Sequence, residues 1–208
     1  MTMSATSRPA QMRAEYSGVP LRAIAQLAKS WNFSEASFGM AALNSYYATP
    51  SVADEHGFAL ADAPWPQIFD PFRNAVAGKK VAVIGHFPFA PKALNQAADF
   101  YMLERSLNEG DYPDSAAEYI LPECDYVFIT GSAFVNKTAP RLLELSRESF
   151  NVVLGPSTPL APVLVEDYGV SQVTGMVPTS PLAMFEGLSG TDAGTTMFDW
   201  GHRVELSA

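Results

Sequence analysis

From Lys79 onward the chain repeats one pattern, a short unbroken apolar run cut off by a glycine or an acid and followed by a polar stretch. Lys80 to Ile84 stops at Gly85, Phe100 to Leu103 at Glu104, Tyr126 to Thr130 at Gly131, and Val152 to Leu154 at Gly155, with a weaker fifth run at Gln172 to Val177. Runs that do not alternate fit strands buried on both faces. Strands separated by helices pair in parallel. Helices are expected near Ser115 to Leu121, Ala139 to Glu148, Pro159 to Tyr168 and Pro181 to Phe185. The expected fold class is therefore α/β, a Rossmann-like parallel sheet flanked by helices, over residues 73–208.

Residues 1–72 read differently. From Pro20 to Trp31, Leu21, Ile24, Ala25, Ala28 and Trp31 recur at helical spacing, with Pro20 suited to a first turn. A second helix is expected from Ser34, as N-cap, to Tyr47, with Phe33 and Phe38 stapled across its start. Thr49 to Arg73 holds Pro50, Pro64, Pro66 and Pro71, which interrupt regular structure and suggest a linker or ordered loop between two domains. Its aromatics Phe58, Trp65, Phe69 and Phe72 imply that it packs against something.

With 48% hydrophobic residues in 208, the chain has the material for a sizeable core. Acids outnumber bases 22 to 13, a balance that repels nucleic acid and anionic membranes. No apolar stretch reaches the roughly 20 residues of a spanning helix. Met1 to Ala10 lacks a secretory pattern, and Cys124 is the only cysteine. These features lead to an expected cytoplasmic location and a structural role for Cys124. The last glycines, Gly187, Gly190 and Gly194, loosen the approach to Met197-Phe198-Asp199-Trp200, which is expected to return as a final strand or dock on the sheet.

In an open parallel sheet the ligand crevice lies beyond the carboxyl ends of the strands. There the chain carries Gly85-His86-Phe87-Pro88, Glu104-Arg105, Thr130-Gly131-Ser132 with Asn136 and Thr138 further on, and Gly155-Pro156-Ser157-Thr158-Pro159. Thr158 is placed to cap a helix beginning at Pro159, whose N-terminus would favour an anion. Ser157 and Thr158 can cap, touch a ligand, or do both. Glu104 stands where an acid commonly binds ribose hydroxyls, yet the first loop lacks G-x-G-x-x-G, which argues against ordinary NAD binding. His86 can serve as acid, base or metal ligand, or can simply pack. A mixed metal site of His86, Glu104 and Asp111 is conceivable, although His56, His86 and His202 show no ligand spacing. Asp114 reads as a helix N-cap.

Several of these segments resemble one family. Glu104-Arg105, Glu109-Gly110-Asp111, Pro113 to Tyr119, Ile129-Thr130-Gly131-Ser132, Val135-Asn136 and Leu154 to Leu160 are similar to the putative heavy-metal-chelation family, domain of unknown function 364, across about Lys79 to Phe198. Gly18 to Leu21 and Ala41 to Tyr47 resemble the companion domain that precedes it, which is like the N-terminal domain of enolase. The resemblance implies a small α+β domain that is incomplete here, since Met1-Thr2-Met3 falls where a last meander strand would end. A longer chain, an upstream start or a partner such as a homodimer mate would complete it, leaving Leu21, Ile24, Leu27 and Leu43 short of burial in the monomer. It also implies a cleft between the domains, lined by Asn44, His86, Glu104, Thr130, Asn136 and Ser157.

Three functions compete on this reading. The first is binding or modification of a small anionic metabolite or metal chelator, with Gly155 to Thr158 and Thr130 to Ser132 on the anion and Glu104 on a hydroxyl or amine. The second is non-enzymatic binding of a metal ion through His86 and carboxylates. The third is a nucleoside-cofactor transferase, suggested by Glu104 and the Gly85 turn, with S-adenosylmethionine as the cofactor.

Overall fold

The computed structural model describes residues 8–9, 16–65, 67–189 and 197–208. The start of the chain, Pro66, Gly190 and Gly194 lie outside the described residues, as do the readings placed on them. Eight strands build one sheet: β1 Ala59–Leu60, β2 Lys80–Ile84, β3 Asp99–Glu104, β4 Tyr112–Pro113, β5 Tyr126–Thr130, β6 Phe150–Leu154, β7 Gln172–Pro178 and β8 Gly201–Ser207. Their order is β1-β8-β7-β6-β5-β2-β3-β4. Strands β2 to β7 pair in parallel, β8 runs antiparallel to β7, and β1 antiparallel to β8. After β2 the chain moves outward to β3, then returns to place β5 on the other flank. The topological switch therefore lies between β2 and β5.

The unbroken apolar runs have the cause expected of them, since successive residues of each inner strand enter opposite cores. On β5, Val127 and Ile129 join one buried cluster with Leu121, Leu142, Val153, Leu160 and Val173, while Phe128 joins the other with Val81, Val83, Leu94 and Val152. The second cluster is closed by the aromatic stretch, where Phe69 is fully buried and meets Phe128 edge-on at 5.2 Å. The stretch from Thr49 to Arg73 is more ordered than a linker, because it contains α3, Pro50–Glu55, and β1. Ala53 and Phe58 are buried in the first cluster.

Before it come α1, Leu21–Ala25, which tightens into a 3₁₀ turn at Gln26–Lys29, and α2, Phe33–Tyr47. The cap of α2 is Asn32 and not Ser34: its Oδ1 accepts from the backbone N–H of Ser34 at 3.0 Å and of Glu35 at 3.2 Å. Asn caps at least as well as Ser, and the helix begins one residue before Ser34. The break after Ala25 has a packing reason. A Cβ on Gly39 would stand 1.9 Å from the backbone nitrogen of Ala28, so α2 presses directly against this turn. Leu21, Ile24, Leu27 and Leu43 are all exposed or half-buried.

The remaining helices are short: α4 Ala90–Ala93, α5 Ala117–Ile120, α6 Ala139–Leu145, α7 Val163–Glu166 and α8 Pro181–Ser189. The helix expected from Pro159 to Tyr168 is reduced to α7 because Leu160 is drawn fully into the core, where its side chain would meet a Cβ on Gly175 at 2.6 Å. Thr158 accordingly caps nothing. Asp114 opens a 3₁₀ turn without a capping bond and instead accepts from Arg105 Nε at 3.1 Å. Met197–Trp200 forms a 3₁₀ turn ahead of β8, the final strand.

Replacing Gly39 by alanine forces backbone against backbone at the α2 contact. The expected cost is about 2 kcal/mol, or roughly 4–8 °C in melting temperature for a chain of this size. Thermal unfolding checks this, and an unchanged midpoint would contradict the close packing.

Candidate functional site

A cavity of about 540 Å³ opens where α2 crosses the carboxyl ends of β5, β6 and β7. Helix α2 contributes Ser37, Met40, Ala41, Asn44 and Ser45, the loop into α3 adds Ala48 and Thr49, and α3 itself adds Pro50. From the sheet come Ser132, Val135, Pro156, Ser157, Met176 and Pro178, with Pro181 from α8. No charged side chain is among these residues. The cavity is displaced from the switch point toward β7, because the N-terminal helices roof that half of the sheet.

Its floor depends on Gly131. A Cβ there would stand 2.5 Å from the nitrogen of Thr158, so the loops after β5 and β6 touch backbone to backbone, which brings Ser132 and Ser157 to one wall. Gly85 and Gly155 turn the chain at φ 107° and 119°, which side chains rarely adopt. Thr130 caps the following turn by accepting from Ser132 N at 3.3 Å.

Asn44 joins roof to floor, donating from Nδ2 to the Ser157 carbonyl at 2.8 Å. A carbonyl only accepts, so the amide nitrogen must face Ser157, and this leaves Oδ1 as the other atom. That oxygen is buried without a partner, as is the hydroxyl of Thr158. Buried polar atoms are paired in most proteins, so unpaired ones beside a cavity mark where a hydrogen-bonding ligand would fit.

Of the other expected site residues, His86 and Glu104 form a second group at the ends of β2 and β3, outside the cavity lining. The carboxylate of Glu104 accepts from the backbone N–H of Arg105 at 2.7 Å, His86 at 3.0 Å and Ser106 at 3.3 Å. It clamps two loops together. His86 Nδ1 lies 3.0 Å from Asp111, whose side chain is fully covered and also accepts from Asn108 N at 2.9 Å. Burial alone would raise the Asp111 pKa, but the bonds from Asn108 and His86 outweigh it and hold the carboxyl below its ordinary value. Asn136 is likewise used locally, its Oδ1 accepting from Thr138 N and Oγ1 at 3.1 and 2.6 Å.

Among the described residues no three His, Cys, Asp or Glu side chains are grouped to hold a metal ion. His86, Glu104 and Asp111 are neighbours but not a ligand set. Cys124 is buried, donates to the Ile120 carbonyl at 3.3 Å, and has its thiol pushed up to about 11 by burial.

Sequence reasoning missed Met40, Met176, Pro178 and Lys137. Lys137, at φ 68°, reaches from the β5 loop to the Ala28 carbonyl, and Arg105 lies over the Phe33 ring at 5.9 Å. Both contacts fasten the N-terminal helices to the strand-end loops. Neither has a local sequence signal, since each spans at least about 70 residues of chain.

The fold and site define a mixed α/β protein with a mostly parallel sheet and a roofed cavity at its strand ends. The profile of domain of unknown function 364, described as putative heavy-metal chelation, matches residues 67–204, and that of domain of unknown function 4213, with the same description, matches residues 1–47. The chain belongs to this putative heavy-metal-chelation family. It is similar to a solved protein of unknown function from the same family in Desulfitobacterium hafniense, with 45% identity and a TM-score of 0.84 over 92% of this chain and 76% of that one. A family member of unknown function from Pyrococcus horikoshii shares the fold at 23% identity, TM-score 0.78, over 100% of this chain and 82% of that one. An uncharacterised protein of Methanocaldococcus jannaschii is 29% identical over 101 residues, 46% of this chain; the match spans 39% of that relative's length. None of the helices among the described residues is long and apolar enough to cross a membrane.

Two outcomes follow. Because the folded Asp111 carboxyl titrates below its unfolded value, the stability it contributes is present above about pH 4 and is lost as pH falls through the folded pKa. Asp111→Asn should therefore lower the melting temperature at pH 7, with the gap to wild type closing in acid; a pH-independent gap would contradict the assignment. Cys124 should resist a disulfide-exchange reagent at pH 8 in the folded protein and react fully in denaturant.

Proposed function

We propose that this protein binds a small organic molecule in the cavity between α2 and the ends of β5 to β7, and that the molecule is a metal chelator, its precursor or its metal complex. The carrying observation is the cavity itself: about 540 Å³, walled largely by Met, Val, Ala and Pro, with the buried Asn44 Oδ1 unpaired at its edge. Such a volume suits a compact organic ligand with an apolar body and a few fixed polar contacts. Asn44 Oδ1 calls for an N–H or O–H donor on that ligand.

The family description supports the connection to metals, while the donor chemistry points away from a bare ion. Heavy metals take thiolate, imidazole or clustered carboxylate ligands, or, for a soft ion such as Cu(I), thioethers in greater number than the two that Met40 and Met176 bring here. The cavity offers hydroxyls, one amide and thioethers. An organic chelator carries its own ligands for the metal, so the protein needs only to recognise its organic frame. An anionic ligand held by a helix N-terminus at Thr158 loses its structural basis here, because α7 starts at Val163.

Native mass spectrometry with elemental analysis of gently purified protein tests this reading. The expected result is a copurifying organic molecule, with any metal present only in company with it. Asn44→Leu should weaken its retention by about tenfold, the weight of one buried hydrogen bond. One equivalent of bare metal ion, retained through dialysis and insensitive to Asn44, would overturn the proposal.

A further inference from the structure

A second cleft, of about 240 Å³, lies near the sheet's edge between the loop after β1 and the start of β8, with Asp62, Trp65, Phe198 and Arg203 on its walls. The strand-end cavity makes no use of these residues. Arg203 is only 4% exposed, a burial that arginine rarely reaches unless its guanidinium is paired. Here the pairing is incomplete. Nη1 donates to the Gln67 carbonyl at 3.2 Å, Nη2 stands 3.7 Å from Glu205, and Nε has no partner. On the same cleft Trp65 has its indole Nε1 buried without an acceptor. The Trp65 and Phe198 rings stack at 5.3 Å with 26° between their planes.

Both unpaired groups are donors, so what they lack is an acceptor, and beside a guanidinium the matching acceptor is a carboxylate. Asp62 on the wall and Glu205 nearby already surround the arginine with negative charge. With Asp70 they already outweigh the arginine's single charge, so a doubly charged anion is opposed more strongly than a singly charged one. We propose that this cleft binds a small organic monocarboxylate, which accepts from Arg203 and Trp65 and rests its apolar or aromatic body on the Trp65–Phe198 stack. Both nitrogens are covered by neighbouring atoms, so the carboxylate reaches them only as side chains of the cleft wall move aside. This site is separate from the α2 cavity and stands whether or not that cavity holds a chelator.

The test is an NMR titration of the full ¹⁵N-labelled chain with benzoate, following the Arg203 Nε–H and Trp65 indole signals. Benzamide serves as the neutral isostere and inorganic phosphate as the multiply charged anion. Benzoate is expected to shift both signals saturably, with benzamide and phosphate binding at least about tenfold more weakly. Arg203→Lys, which removes the Nε donor, should abolish saturation. Asp62→Asn, which removes a repelling charge, should tighten benzoate severalfold, and it decides the matter if the arginine variant fails to fold. Benzamide binding as well as benzoate, saturation that survives Arg203→Lys, or an Asp62→Asn variant with unchanged affinity would each overturn the proposal.

Discussion

The candidate site exists because two strand-end loops meet at a separation that only glycine permits. Gly131 lies against the backbone of Ser157 and Thr158, closer than any Cβ could stand, so the ends of β5 and β6 form one continuous floor. A side chain at that position would part the loops and move Ser132 away from Ser157. Helix α2 can roof this floor for the same kind of reason, since Gly39 lets it lie directly on the Leu27–Ala28 turn. Gly131 thus closes the floor, Gly39 seats α2 on the turn before it, and the Asn44 bond to the Ser157 carbonyl ties roof to floor.

The polar residues around the sheet divide by use. Glu104, Asp111 and Asn136 look outward to a ligand when read in isolation, yet each spends its oxygens on nearby backbone or on His86. They make the loops rigid, and a rigid site loses less entropy when it binds. Among the described residues the buried side-chain atoms left unpaired are a short set: Asn44 Oδ1 and Thr158 Oγ1 near the cavity, Arg203 Nε and Trp65 Nε1 in the second cleft, and His56 Nδ1. The only buried cation of the described residues, Arg203, sits at β8 and not at the helix N-terminus where anion binding is suggested by the sequence.

How much of this was legible depends on the range of the interaction. The runs at Lys80, Phe100, Tyr126, Val152 and Gln172 announced the inner strands because burial on both faces removes alternation, a purely local signature. Asn32 and Ser34 are both good caps, and only the path by which the chain enters α2 selects Asn32. The prolines after Thr158 suited a helix start, but the pull of a fully buried Leu160 onto the sheet delayed the helix to Val163. Edge strand β1, of two residues between prolines and glycine, carried no periodicity at all, and its existence depends on β8, which follows about 140 residues later.

By itself, then, the sequence determined the inner strands of the sheet, the glycine turns at their ends and the family to which those loops belong, since each is written in neighbouring residues. The tertiary structure alone decided which polar atoms are left free. Whether a carboxylate faces a ligand or a backbone N–H, and whether an arginine at β8 finds an acceptor in a carbonyl 136 residues away, turns on distances of a few tenths of an ångström. Those distances are set by the packing of the whole core.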